Sequence, residues 1–248
     1  MVFSLGATSL TGADFLFNSN AFLNIAHGAV RSGKTIMATV RFLEHIRSSP
    51  YKYFLICGTT RDTIERNIIN DLIGIIENEH TYKYSKIDGK LIIDDKVVYL
   101  IGLNNERVAD KIKGLTIGGA YIDEVTTVPR SAFDMVLTRC SLPNSKVFCT
   151  TNPDSSYHWL YTDYITNSSL LESGYVKTWK FLIEDNPHLS KEYINQMKHI
   201  NSKSSAHYKR NILGEWAMAE GKIYEYFNED NTNNINQTFL VTKSTKSP

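Results

Sequence analysis

The 248-residue chain has almost no net charge of either sign, since 27 basic and 26 acidic side chains leave it at +1. That balance excludes a bulk electrostatic pull toward nucleic acid or a membrane surface. Any contact with a polyanion has to be a local patch or come through a partner. No apolar run approaches the roughly 18 residues that a membrane span needs. The opening residues, MVFSLGATSLTGADFLF, lack the basic start of a secretory leader. The three cysteines, Cys57, Cys140 and Cys149, form no close pair and no metal spacing, which excludes a disulfide framework and predicts reduced, buried thiols. No internal repeat is present. These absences predict a soluble intracellular protein of ordinary composition, long enough for one sizeable core.

Against that background, the apolar residues are arranged in order. AFLNIAHG leads into a glycine turn, and TIMATVRFLEHIRSS follows with Ile36, Val40, Leu43 and Ile46 at helical spacing. YKYFLICGT reads as a strand and RDTIERNIINDLIGIIENE as one amphipathic helix. KYSKIDGKLIIDDKVVYLIGL reads as antiparallel strands turning at Asp88-Gly89 and broken at Asp94-Asp95-Lys96. GGAYIDEV and KVFCTTNP are buried strands on either side of a helix, PRSAFDMVLTRCS. Strands alternating with helices at this spacing predict an α/β core with a mostly parallel sheet over residues 1–189. SKEYINQMKHI and SAHYKRNILGEWAM predict a small helical subdomain over 190–227, and the Asn- and Thr-rich stretch 228–248 reads as a polar tail or linker.

Gly28-Ala29-Val30-Arg31-Ser32-Gly33-Lys34-Thr35 matches G-x-x-x-x-G-K-[ST] in full. Glycines let backbone N–H groups wrap phosphates with no Cβ in the way, and the following helix offers its positive end to the anion. Lys34 is then placed to reach the β- and γ-phosphates, and the Thr35 hydroxyl to ligate Mg²⁺. A glycine turn can also simply open a helix, but the apolar run before it and the helical run after it favour the phosphate cradle. Asp123 and Glu124 end the apolar stretch Ala120-Tyr121-Ile122. There Asp123 fits a Mg²⁺-holding acid, and Glu124 a general base that polarises the attacking water. An acidic strand end alone is often just a solvated cap; after a complete P-loop it reads as catalytic. Thr150, Thr151 and Asn152 end the next buried strand, where polar tips can sense a γ-phosphate and relay its loss past Pro153. Arg31 within the turn and Arg139 at the end of a helix are candidate cations for the transferring phosphoryl group, Arg139 acting in trans.

Taken together, GAVRSGKT, IKGLTIGGAYIDEVTTVP, CTTNPDSSYHWL, EDNPHLS and YKRNILGEWAMAEGKIY resemble the large terminase subunit of tailed bacteriophages, particularly its PBSX-type members. The resemblance implies a P-loop NTPase of the RecA-like, ASCE type, with a helical lid subdomain and an arginine finger. It implies an ATPase using ATP and Mg²⁺ to drive double-stranded viral DNA into the procapsid. The implied partners are the portal protein, the small terminase subunit and further copies of the chain in a ring on the portal, although an isolated domain can be monomeric. The implied location is the host cytoplasm, transiently at the procapsid portal, with no membrane partner. Family members continue into an RNase H-like nuclease that this sequence does not include, so nuclease activity is not expected from it.

Two other readings share the first motifs. A helicase-like ATPase predicts a second RecA-like domain, for which no length remains. A nucleotide-dependent assembly module would bind without turnover, and Glu124 argues against it. A GTPase would carry an Asn-Lys-x-Asp base reader, which is absent.

Overall fold

Eight apolar segments form strands: β1 (Leu23–Gly28), β2 (Tyr53–Gly58), β3 (Tyr82–Ser85), β4 (Lys90–Ile93), β5 (Lys96–Gly102), β6 (Gly119–Ile122), β7 (Lys146–Thr151) and β8 (Val176–Phe181). In the computed structural model, which describes residues 7–78, 80–104, 112–200 and 205–218, they make one sheet in the order β3-β4-β5-β2-β6-β7-β1-β8. The pairs from β5 through to β8 are all parallel, and β3 and β4 extend the sheet antiparallel. β1 and β6 are buried at every residue, as expected of parallel strands covered on both faces.

One face is covered by α1 (Leu10–Asn18), α2 (Lys34–Ser48), and a run made of α3 (Arg61–Ile64), a π-turn (Glu65–Ile69) and α4 (Asn70–Ile76). The other is covered by α5 (Arg130–Arg139), with α6 (Ser168–Glu172) at its margin. The two-residue period of a strand sorts the core. Phe54 and Ile56 of β2 join Phe42, Tyr121 and Phe148 under α2, while Leu55 and Cys57 join Ile122, Phe133 and Cys149 under α5. Phe42 packs its ring 6.0 Å from both Tyr121 and Phe148, so Phe42→Ala would cost about 3–5 kcal/mol. All three cysteines are buried thiols, and burial drives Cys140 up to about 12.

The parallel α/β sheet follows the expectation, with three differences. The stretch after β2 is not one regular helix over 61–79; it starts on a Thr60 capping box, passes through the π-turn and ends at Ile76. The sequence pattern announces neither β8 nor α1. β8 alternates poorly because Lys177 and Lys180 lie on it, which suits the edge of a sheet.

The predicted helical subdomain holds α7 (Lys191–Ile200) and α8 (Ala206–Asn211). Tyr208 and Ile212 pack with Ile183 against Ala29 of the glycine turn. Residues 219–248, including the predicted tail, lie outside the described residues. Among the described residues no helix is long and apolar enough to cross a membrane.

Candidate active site

β1 delivers Gly28 to the C-terminal edge of the sheet between β7 and β8. Gly28 has φ 140°, and a Cβ there would lie 2.0 Å from the Phe181 carbonyl oxygen, so only glycine fits. Gly33, at φ 88°, turns the chain into α2. The N–H of Ala29 donates to the Phe181 carbonyl at 2.8 Å and that of Val30 to the Asn211 carbonyl at 2.9 Å. The N–H groups of Arg31, Ser32 and Gly33 make no hydrogen bond among the described residues. With the orphan donors of the first turn of α2, which begins at Lys34 and Thr35, they form a concave set that fits an anion.

Lys34 is buried and donates to the Ala29 carbonyl at 2.9 Å and to Asn152 Oδ1 at 2.6 Å. Burial pulls its ammonium down to about 8, against the carboxylates of Asp123 and Glu124, which push it up. The β6–β7 pairing sets Asp123 beside Thr150, whose hydroxyl donates to Asp123 Oδ1 at 2.6 Å. Asn67 of the π-turn donates to Asp123 Oδ2 at 3.1 Å. Thr151 is turned toward Thr126 instead, the two hydroxyls lying 2.8 Å apart. The three polar residues ending β7 therefore separate: Thr150 holds the acid, Asn152 holds the lysine, and Thr151 braces the loop after β6.

Glu124 sits in the left-handed region at φ 51°, ψ 51°, a conformation that costs a non-glycine residue about 1–3 kcal/mol. Thr127 restrains it, its N–H and hydroxyl each donating to the Glu124 carbonyl at 2.8 Å. The half-buried carboxyl makes no hydrogen bond among the described residues. Burial and then Asp123 raise it above the usual carboxylate range, and Lys34 and Arg66 oppose them. A raised carboxyl is a stronger base, which suits accepting a proton from water.

Arg31, Lys34, Thr35, Arg66, Asn67 and Asn186 line a cleft of about 490 Å³. Arg31 is exposed, with its guanidinium 5.7 Å from the Tyr193 ring centroid and its carbonyl accepting from Asn186 at 2.7 Å. A second cavity of about 180 Å³ adjoins the turn, lined by Gly33, Met37, Phe181, Asn186, Pro187 and His188. Arg139 is not brought to this site. Its carbonyl accepts from Ile117 at 3.1 Å, at the opposite end of β6 from Asp123, and among the described residues its guanidinium hydrogen-bonds only Thr138. Within one chain it belongs to the other edge of the sheet. The residues that sequence reasoning missed are Arg66 and Asn67, hidden in what reads as a regular helix.

Beyond the site, the loop after β7 is tied to the segment leaving α8. Arg210 pairs with Asp154 at 2.6 Å and donates to the Ala217 carbonyl at 2.8 Å, while the Ala217 N–H donates to the Asp154 carbonyl at 3.2 Å. Trp216 stacks on Tyr161 at 5.1 Å and donates to His27 Nδ1 at 3.3 Å. Burial, with Lys180 and Lys34, lowers His27 to about 4, so it stays a neutral acceptor at pH 7.

Residues 25–230 match a sequence family described as terminase large subunit, T4-like-virus type, N-terminal. Among solved structures, the large terminase of a thermophilic bacteriophage is similar at a TM-score of 0.78 and 26% identity, over 91% of this chain and 57% of that one. The same thermophilic-phage protein is also known in complex with ADP, at a TM-score of 0.78, and with ATP-γ-S, at 0.77, each 26% identical and covering 90% of this chain. The large terminase ATPase domain of Thermus phage P74-26 shares the fold at a TM-score of 0.68 and 13% identity, over 86% of this chain and 94% of that one. This chain thus spans just over half of the thermophilic-phage terminase. No curated protein matches the sequence significantly.

Proposed function

The chain belongs to the large terminase family, in its T4-like-type N-terminal part, and from that membership we propose that it is the Mg²⁺-dependent ATPase of a motor that moves double-stranded viral DNA into a procapsid. The observation that carries the reading is the bond between Lys34 and Asn152 at 2.6 Å, with the acids Asp123 and Glu124 beside it. It joins the phosphate-binding turn directly to a strand end that leads away from the site.

In this reading the free N–H groups from Arg31 to Thr35 hold the phosphates, and Lys34 reaches the β- and γ-positions. Thr35 and Asp123 would hold Mg²⁺, which would supply neutralisation of the phosphate charge. Glu124 orients the attacking water and takes its proton. The cavity beside Gly33, with Met37 and Phe181 on its walls and Asn186 at its rim, suits a purine base. The absence of an Asn-Lys-x-Asp stretch favours adenine over guanine. The ADP and ATP-γ-S complexes of the thermophilic-phage terminase support the same nucleotide.

Coupling follows from competition. A phosphate that draws Lys34 to itself takes the ammonium from Asn152, and loss of the phosphate returns it. Asn152 is two residues from Asp154, which Arg210 and Ala217 grip, so either change reaches the segment beyond α8. Thr150 and Thr151 keep the strand end in register while this happens. The portal protein, the small terminase subunit and neighbouring copies in a ring are the partners of this reading. Arg139 enters it only as a group offered to a neighbouring copy. The setting is the host cytoplasm and, transiently, the procapsid portal. The test is ATP turnover with and without DNA, followed by DNA uptake into portal-bearing procapsids in a reconstituted packaging reaction. Tight nucleotide binding with no turnover in either setting would leave only a nucleotide-dependent assembly module.

A further inference from the structure

The helical run after β2 carries a π-turn where the sequence pattern asks for none. The Asn70 N–H donates to the Glu65 carbonyl, five residues back, which adds one residue to that turn. Packing does not account for it. Ile64, Ile68 and Ile69 are fully buried on the sheet and Leu72 is nearly so, on both sides of the insertion. What the extra residue changes is the rotation of the residues beside it, about 100° for each residue added or removed. Arg66 and Asn67 end up on the cleft that Lys34 and Thr35 also line.

There Asn67 does something specific. Its amide holds Asp123 Oδ2 at 3.1 Å while Thr150 holds Oδ1 at 2.6 Å, so both oxygens of the acid are restrained, from two different elements. A carboxylate restrained at both oxygens cannot swing about its last torsion. Arg66, one residue earlier, is exposed and makes no hydrogen bond or ion pair among the described residues. Arg31, the other arginine on the cleft, stands against Tyr193. Glu65 of the same turn is anchored by Lys86 from the β3–β4 turn, which steadies the element from its far side.

We infer that the π-turn is a positioning element for hydrolysis, in which Asn67 orients Asp123 toward Mg²⁺ and Arg66 supplies a cation from the same chain to the terminal phosphate. The inference rests on the nucleotide-hydrolysis reading of the P-loop. Partners that orient a metal-holding carboxylate are worth about 10–100-fold in metal affinity. A cation facing the terminal phosphate favours the triphosphate over the diphosphate.

The experiment is equilibrium binding of fluorescent ADP and of ATP-γ-S to the whole chain, titrated with Mg²⁺, with Lys34→Ala run alongside. Asn67→Ala should raise the Mg²⁺ needed for half-maximal binding about tenfold or more, and leave affinity without Mg²⁺ within about twofold. Asn67→Leu, which keeps the volume and drops the donor, should do the same with its thermal transition retained. Arg66→Ala should weaken ATP-γ-S about tenfold more than ADP, with Arg66→Lys restoring part of the difference. Unchanged Mg²⁺ dependence in both Asn67 variants, or equal loss for the two nucleotides at Arg66, overturns the inference. Normal nucleotide binding by Lys34→Ala would instead overturn the reading beneath it.

Discussion

The inner, buried side of the site and its outer side satisfy their polar groups in opposite ways. On the inner side Lys34, Asp123, Thr150 and Thr151 are 1–7% exposed, and each is hydrogen-bonded to another protein group. On the outer side the Glu124 carboxyl and the Arg66 guanidinium reach no hydrogen-bond partner among the described residues, and Arg31 only faces an aromatic ring. A buried charge without a partner is too costly to hold, so the inner groups must hold each other until a ligand arrives. A ligand there has to exchange with bonds already made. The outer groups make no hydrogen bond among the described residues that a ligand would have to break. Inner substitutions should therefore disturb binding and structure together, and outer ones turnover or triphosphate preference with the fold intact.

The largest expected effect is on the inner side. Lys34→Ala should abolish ATP hydrolysis and strongly weaken nucleotide binding, measured by phosphate release and fluorescent-nucleotide titration. Unchanged turnover would reduce the glycine turn to a turn. Next comes the outer side. Glu124→Gln should slow hydrolysis by about 100-fold or more while ATP–Mg²⁺ binding and the melting temperature stay near wild type. If binding falls as far as turnover, the contrast between the two sides is wrong.

A smaller effect on binding is expected where the inner side meets the relay. Asn152→Ala should leave ATP affinity within a few-fold of wild type, since the phosphates replace the amide as partner of Lys34. It should nevertheless stop DNA uptake by portal-bearing procapsids in a reconstituted packaging reaction. Uptake at the normal rate would remove Asn152 from the coupling path.

The last prediction leaves the chemistry alone and loads the buried side. His27 and His45 are each lowered from 6.5 to about 4, mainly by burial. Between those values the unfolded chain binds more protons than the folded one, so stability falls as pH falls from about 6.5 toward 4. The full loss is on the order of 3 kcal/mol for each histidine. Urea unfolding at pH 7 and pH 5 measures it, and equal stability at both would mean that neither imidazole is held neutral.

Much of this is legible in the sequence because it is local. Gly28 to Thr35 are contiguous, Asp123 and Glu124 are adjacent at the end of one strand, and each group can be read as a single run of residues. β8 is not legible because two lysines obscure its apolar side, and an edge strand is recognised by what it pairs with. The π-turn escapes because a helical pattern with Ile64, Ile68, Ile69 and Leu72 looks the same with or without one added residue.

By itself, then, the sequence determined the glycine turn, the acidic strand end and an α/β core, since these follow from backbone freedom at glycine and from apolar periodicity. Tertiary structure alone decided which polar tips meet. Parallel neighbours β6, β7 and β1 set Asp123 beside Thr150 and bring Asn152 to Lys34. The same strand direction that carries Asp123 to Asn67 and Thr150 sends the returning α5 away from them and leaves Arg139 at the far edge. No spacing along the chain encodes those meetings, because they depend on strand order and register, which the whole core selects at once.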